Sequence, residues 1–213
     1  MKYTHIFWDW NGTLFNDTEI CHSITNVLLS DLGIAPISFD EYRKKLRHPI
    51  KEFYDELTNS DCSDSYALFS EKFHAQYEEL RFACNIHMHV EDNIAFFKSH
   101  NAKQSILSAH PQFLLDSIVE HLNFAHHFDY IIGKSDKLAA DKFQEGKRLM
   151  DLYGADPRKT LIIGDTQHDA EVAESLGIDC ILVAKGMQCK TKLSHLRVPI
   201  VDCMSEVKAI ALG

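Results

Sequence analysis

Four places in the chain set residues with chemical capacity just after a short apolar run. Asp9, Asn11 and Thr13 follow Ile6-Phe7-Trp8, with Asn11-Gly12 as the turn. Ser108 and His110 close a run at Ser105-Ile106-Leu107. Gly133, Lys134 and Ser135 follow Tyr130-Ile131-Ile132, with Lys137 and Lys142 on the way into the next helix. Asp165, Thr166 and Asp169 follow Thr160-Leu161-Ile162-Ile163 and Gly164. Carboxylates that converge repel one another and raise one another's pKa values unless a cation neutralises them. A hard divalent ion with oxygen ligands does so, and magnesium suits a site that also holds phosphate. Ser108 and Lys142, with Lys137 as the alternative lysine, can then hold the phosphate's other oxygens. Asp9, in its tight turn, is left as a carboxylate nucleophile able to form an aspartyl-phosphate. The ion and the lysine would stabilise charge on the transferring group.

For these residues to meet, the apolar runs must be parallel strands whose carboxyl ends share one rim, where ligands of open α/β sheets bind. The intervening patterns supply what such a sheet needs. After the first run, Ile20, Ile24, Val27, Leu28 and Leu32 keep a helical period, and Gly33 stops it. Tyr54, Leu57, Leu68, Phe69, Phe73 and Tyr77 then recur at threes and fours, with turns near Pro36, Pro49 and Ser60-Asp61. From about residue 90 the pattern alternates. Helices carrying Leu114 to Leu122, Phe143 to Tyr153 and Val172 to Leu176 separate the runs, and Cys180–Val183 and Ile200-Val201 are the last two strands. The fold class is α/β: a Rossmann-like parallel sheet with helices on both faces and an all-helical cap inserted after the first strand. The division is a core of residues 1–14 and 84–213 and a cap of residues 15–83.

Asp9-Trp10-Asn11-Gly12-Thr13-Leu14 resembles the DxDGT motif that opens the haloacid dehalogenase-like hydrolase superfamily. Ser108 resembles its second motif, Lys142 (or Lys137) its third-motif lysine, and Gly164-Asp165-Thr166-Gln167-His168-Asp169 its GDxxxD motif. The order holds over nearly the whole chain, and the helical insertion is placed as in phosphoglycolate phosphatase-like members. The resemblance implies a magnesium-dependent phosphatase of a small phosphorylated metabolite. It implies Asp9 as nucleophile and metal ligand, the Asn11 backbone carbonyl and Asp165 as magnesium ligands, and Asp169 as a ligand or its supporting partner. Thr13 would orient the nucleophile loop, and Ser108, Ala109, Gly12 and Lys142 would bind phosphate. Asn11 stands where the family's phosphatases usually carry a second aspartate, the proton donor to the leaving oxygen. An amide cannot do that work, which is worth roughly 10²–10⁴-fold. A slow phosphatase, a substrate with a good leaving group, or another proton donor (His110 and His168 are nearest in sequence) would each reconcile the difference. The alternative function is a catalytically weakened protein that binds a phosphorylated ligand or partner; cleavage of a C–P bond ranks last. The insertion would be a lid that excludes water, and Arg47, in the turn Leu46-Arg47-His48-Pro49, would read an anionic group of the substrate.

The composition agrees with that class. The chain has 213 residues, 45% hydrophobic and 25% charged, an ordinary globular mix. Its 22 Lys and Arg against 31 Asp and Glu give a net charge of -9, which disfavours nucleic acid as a partner. The densest basic stretch, Arg43-Lys44-Lys45-Leu46-Arg47, is short. No apolar run approaches the ~20 residues of a membrane span, and Asp9 interrupts the only N-terminal apolar stretch. Six scattered cysteines without a CxxC pair read as thiols in a reducing compartment, hence a cytoplasmic protein; the expected state is a monomer or homodimer, which the sequence does not decide. His87-Met88-His89 and His126-His127 read as exposed loop histidines. Trp8 reads as core, and Trp10 as either core or pocket lining.

Overall fold

The structure, a computed structural model, describes residues 1–59, 61, 66–134 and 142–213. Ser60, Cys62, Ser135 and Lys137 of the sequence reading lie outside the described residues. The first strand, β1 (His5–Trp8), is followed by helices α1 (Thr18–Asp31), α2 (Phe39–Lys45), α3 (Ile50–Thr58) and α4 (Tyr66–Leu80). Then come α5 (Val90–Ser99), β2 (Lys103–Pro111), α6 (Gln112–His121), β3 (Tyr130–Lys134), α7 (Lys142–Tyr153) and β4 (Thr160–Gly164). The chain ends with α8 (Gln167–Leu176), β5 (Asp179–Val183), α9 (Lys190–Leu193), β6 (Ile200–Val201) and α10 (Val207–Leu212).

Among the described residues the strands of the sheet pair in parallel, in the order β3-β2-β1-β4-β5-β6. β1 therefore lies between β2 and β4, and the order reverses there. Such a switch point leaves a crevice beyond the carboxyl ends of the two central strands. Side chains alternate across the sheet. Ile6 and Trp8 join Ile94, Phe97, Ile118 and Val207 on one face, and Phe7 joins Leu149, Val172, Ala173 and Leu193 on the other. Helices thus cover both faces of the sheet, as periodicity implied.

The four helices between β1 and residue 81 have a core of their own. Ile24, Leu28, Tyr42, Phe53, Tyr54, Phe69 and Tyr77 pack together, and Met187, from beyond β5, joins them. Ser38 starts α2 with a capping box, its amide and hydroxyl both meeting Glu41. The two chain segments that lead into and out of the helical insertion pair with one another: Asn16 N–H donates to Asn85 O, and His87 N–H to Leu14 O, both at 2.9 Å.

Candidate active site

Register decides what meets at the rim. Trp8 pairs with Ile106 on one side and Ile163 on the other, so Asp9 comes level with Leu107 and Gly164, and Ser108 and Asp165 follow one residue further along. The Asp9 amide donates to Ile163 O (2.9 Å), extending the ladder into the turn. Ser108 lies in an irregularity of the β2–β3 pairing between Leu107 and Pro111, and its Oγ accepts from the His110 amide at 3.0 Å. Bulges of this sort re-aim side chains beside sites.

Asp9, Asp165 and Asp169 bring one carboxylate oxygen each within 4.8 Å of one another, and all three are buried. Lys142, the first residue of α7, enters this group with its side chain only 2% exposed. Its ammonium donates to Asp9 Oδ1 and, at 2.5 Å, to Asp169 Oδ1. Asp169 Oδ2 accepts from the Thr166 amide (3.0 Å) and hydroxyl (2.7 Å), so this carboxylate both starts α8 and holds Lys142. Asp165 takes the Thr13 hydroxyl on Oδ1 (3.0 Å) and the Met187 amide on Oδ2 (2.5 Å). Gly12 lets the first loop approach this closely. Its φ is +75°, and a Cβ there would lie 2.3 Å from Asp165 Oδ2.

The charges do not balance. Burial, opposed by Lys142, pushes the Asp9 carboxyl up to about 7. Burial, with Asp9 and Asp169 beside it, raises Asp165 as well. Burial also works against Asp169, but the Lys142 ammonium and the Thr166 donors outweigh it and hold Asp169 below its ordinary value. Burial likewise opposes charge on Lys142, and the two carboxylates override it and raise the lysine. Three gathered carboxylates with one ammonium are an all-oxygen donor set short of positive charge. That set fits a hard divalent cation such as magnesium.

Asn11 is held by a network that the sequence does not reveal. Its Nδ2 donates to Asp17 Oδ2 (2.6 Å) and to the Tyr77 hydroxyl (2.8 Å), and Tyr77 in turn donates to Asp17 Oδ2 at 2.7 Å. Asp17 Oδ1 accepts from the Gly12 amide (2.9 Å). Both amide hydrogens of Asn11 are thus spent inward. Asp17 is fully buried, and desolvation raises its pKa against the pull of these donors. An acid beside a helix start reads in sequence as an ordinary cap, so nothing local marks it.

The remaining expected residues divide. Arg47 pairs with Glu56 within the helical insertion, which Lys45 joins at 3.4 Å. His110 sits edge-on to Tyr77 with ring centres 5.6 Å apart, and burial pushes it down to about 4, so it is uncharged at neutral pH. His168 lies against His48 of the insertion, ring centres 5.1 Å apart. Trp10 is fully buried and stacks on Phe15, which settles it as core. His87 departs from the expectation of an exposed loop far from the rim. Burial pushes it down to about 4, and it lines a cavity of about 340 Å³ beside Gly12, Thr13, Arg43 and Lys185. The pairing of residues 14–16 with 85–87 folds it there, a long-range contact with no periodic signal. Ala109, between Ser108 and His110, is exposed at the end of β2.

A family model described as haloacid dehalogenase-like hydrolase matches residues 6–183. A phosphoglycolate phosphatase of Aquifex aeolicus is 23% identical over 189 residues, 85% of this chain and 84% of that one. A phosphoglycolate phosphatase of Pseudomonas putida is 21% identical over 193 residues, 85% of this chain and 69% of its own. Among solved structures, a "predicted phosphatase" from Clostridium acetobutylicum superposes with a TM-score of 0.83 at 20% identity, covering 99% of this chain and 98% of its own.

Proposed function

The chain belongs to the haloacid dehalogenase-like hydrolase family, and we propose that it is a magnesium-dependent phosphatase of a small phosphorylated metabolite, working through a phosphorylated Asp9. The observation that carries this reading is the gathering of Asp9, Asp165 and Asp169 around Lys142 at the switch point of the sheet. The names of the relatives, phosphoglycolate phosphatases, support a small phosphorylated carboxylic acid as the first substrate to try.

In this reading Asp9, Asp165 and the Asn11 backbone carbonyl would hold the ion, with Asp169 beside them, and a bound ion would supply positive charge to the phosphoryl oxygens and to the Asp9 carboxylate. Asp9 attacks phosphorus, the ester oxygen leaves with the bonding pair, and water later cleaves the acyl phosphate at phosphorus to return the carboxylate. Lys142, Ser108 and the Ala109 backbone hold the phosphoryl oxygens, and Thr13 steadies Asp165; the Gly12 amide, expected from the sequence to bind phosphate, is instead given to Asp17. Asp169 keeps Lys142 aimed at Asp9. Residues 15–83 act as the lid over a core of residues 1–14 and 84–213. Asp9 is only 7% exposed, which favours small substrates. Arg47 is then the lid residue to exchange Glu56 for an anionic group of the substrate.

Asn11 favours substrates whose leaving oxygen needs little protonation. It also supports the second reading, a binder of phosphorylated ligands with slow chemistry. The test is hydrolysis of an aryl phosphate, acetyl phosphate and 2-phosphoglycolate by wild type and Asp9→Asn, with and without magnesium. Magnesium-dependent turnover lost in Asp9→Asn is the expected result. Equal inertness of both proteins on all three esters, with calorimetric binding of phosphoglycolate retained, would replace the enzyme by the binder.

A further inference from the structure

Arg43 belongs to α2 in the helical insertion, yet its guanidinium ends on the core. Nε donates to Gly186 O at 2.7 Å, and Nη2 to Ala184 O at 2.5 Å and Gln188 O at 3.3 Å. Three carbonyls of one short segment, residues 184–188 after β5, are thus gathered by one side chain of the insertion. Gln188 ties the same bodies from the other direction. Its Nε2 donates to Leu46 O of the insertion (2.9 Å), and its Oε1 accepts from the Gln167 amide at the start of α8 (2.7 Å).

The middle of the segment faces both ways. The Met187 side chain packs into the core of the insertion, where the Tyr42 hydroxyl reaches its sulfur at 3.9 Å. The Met187 amide donates to Asp165 Oδ2. Gly186 is wedged so closely that a Cβ there would lie 2.0 Å from Asp165 Oδ2 and 2.3 Å from Gly12 O. No displacement of this segment can leave Asp165 untouched.

We propose that Arg43 is a positioning residue for the cation site: by drawing residues 184–188 onto the insertion it fixes the Asp165 carboxylate, so that closing the lid and completing the ion's ligand set are one event. The inference rests on the reading of Asp9 and Asp165 as ion ligands. Coupling of this kind is reciprocal: the ion then favours the closed lid as much as the closed lid favours the ion. A guanidinium suits the task because its planar fork reaches several acceptors at once, which an ammonium on a flexible stem does less well.

The experiment is calorimetric titration of magnesium chloride into substrate-free wild type, Arg43→Ala, Arg43→Lys and Lys44→Ala. Lys44 is exposed on the same helix and controls for the lost charge. Loss of charge-assisted hydrogen bonds is expected to weaken magnesium binding about tenfold in Arg43→Ala. Arg43→Lys should lie between, and Lys44→Ala within twofold of wild type. In turnover, Arg43→Ala should raise the half-saturating magnesium concentration by the same factor and lower kcat while KM moves less than threefold. A strut that only tethers the lid would move KM and leave magnesium affinity alone. Wild type that binds no magnesium removes the reading of the site itself. Wild type that binds it, with Arg43→Ala binding equally well, overturns the role of Arg43 and leaves the site standing. Should Arg43→Ala fail to fold, Arg43→Lys decides: weakening of about threefold supports the proposal, and wild-type affinity overturns it.

Discussion

Replacing Asp9 by asparagine should abolish turnover and, without magnesium at pH 8, make the protein more stable. Burial, only partly offset by Lys142, lifts the Asp9 carboxyl from 3.8 to about 7. A carboxyl whose folded pKa lies above its unfolded value costs stability when ionised. The cost begins near pH 4, grows as pH rises, and is complete above the folded pKa of about 7. About three pKa units at 1.36 kcal/mol each make it about 4 kcal/mol at pH 8. Asparagine offers one oxygen where the carboxylate has two, and losing part of the Lys142 contact returns about 1 kcal/mol. The net gain of about 3 kcal/mol corresponds to a rise in Tm of roughly 6–12 °C for a chain of this size. At pH 5 wild type suffers only about 2 kcal/mol of the penalty, and the two proteins should melt within a few degrees of each other. Scanning calorimetry in EDTA at both pH values checks this. A variant that melts at or below wild type at pH 8, or one whose advantage is unchanged at pH 5, would refute the claim that an uncompensated buried carboxylate sits at position 9.

Three further outcomes follow from the same charges. Lys142→Met leaves Asp9 and Asp169 facing each other unpaired, and the magnesium-free protein should lose about 3–5 kcal/mol at pH 8 by denaturant unfolding, with much of it regained on adding magnesium. Magnesium competes with the proton on Asp9, so its affinity, measured by calorimetry, should fall up to about tenfold per pH unit as pH drops below about 7. Asn11→Asp alone sets a second carboxyl 2.6 Å from Asp17 Oδ2 and should gain little turnover. The pair Asn11→Asp with Asp17→Asn moves the acid to position 11, and on alkyl phosphates, which need leaving-group protonation, kcat should rise about 10²-fold over wild type.

The parts of the fold that were legible in sequence are those with a period or a boundary. β1 and β4 are apolar runs that stop at Asp9 and Gly164, and their neighbours in the sheet have the same form. The rim residues could be gathered on paper because a parallel sheet brings every strand's carboxyl end to one side. Arg43 and Asp17 were not legible for a related reason. Arg43 sits in a basic stretch that looks like a solvated helix face, and only tertiary contact separates it from Lys45 and Arg47, which pair with Glu56. Residues 184–188 carry neither alternation nor helical spacing, so their place against Asp165 depends wholly on where the insertion lies. The place of His87 has no local signal, because the pairing of residues 14–16 with 85–87 that folds it against Gly12 is long-range.

Positions 11 and 17 are best understood as one unit. An aspartate at 11 could not share this pocket with an ionised Asp17: two carboxylates 2.6 Å apart keep one proton between them. With Asp17 present, an amide at 11 is the residue that fits. It donates to Asp17 and Tyr77 and turns its oxygen away from both. The carboxylate of this loop lies at the root of α1, where Gly12, Asn11 and Tyr77 surround it and it is fully buried. In the proposed mechanism this arrangement would supply the shape of the Asn11-Gly12 turn, and through it the aim of Asp9. That separates two duties: holding the nucleophile loop remains, and giving a proton to the leaving oxygen does not. In the proposed mechanism a leaving group of low pKa makes general acid help worth roughly 10²–10⁴-fold unnecessary, so acyl and aryl phosphates, rather than simple alkyl esters, should be hydrolysed fastest.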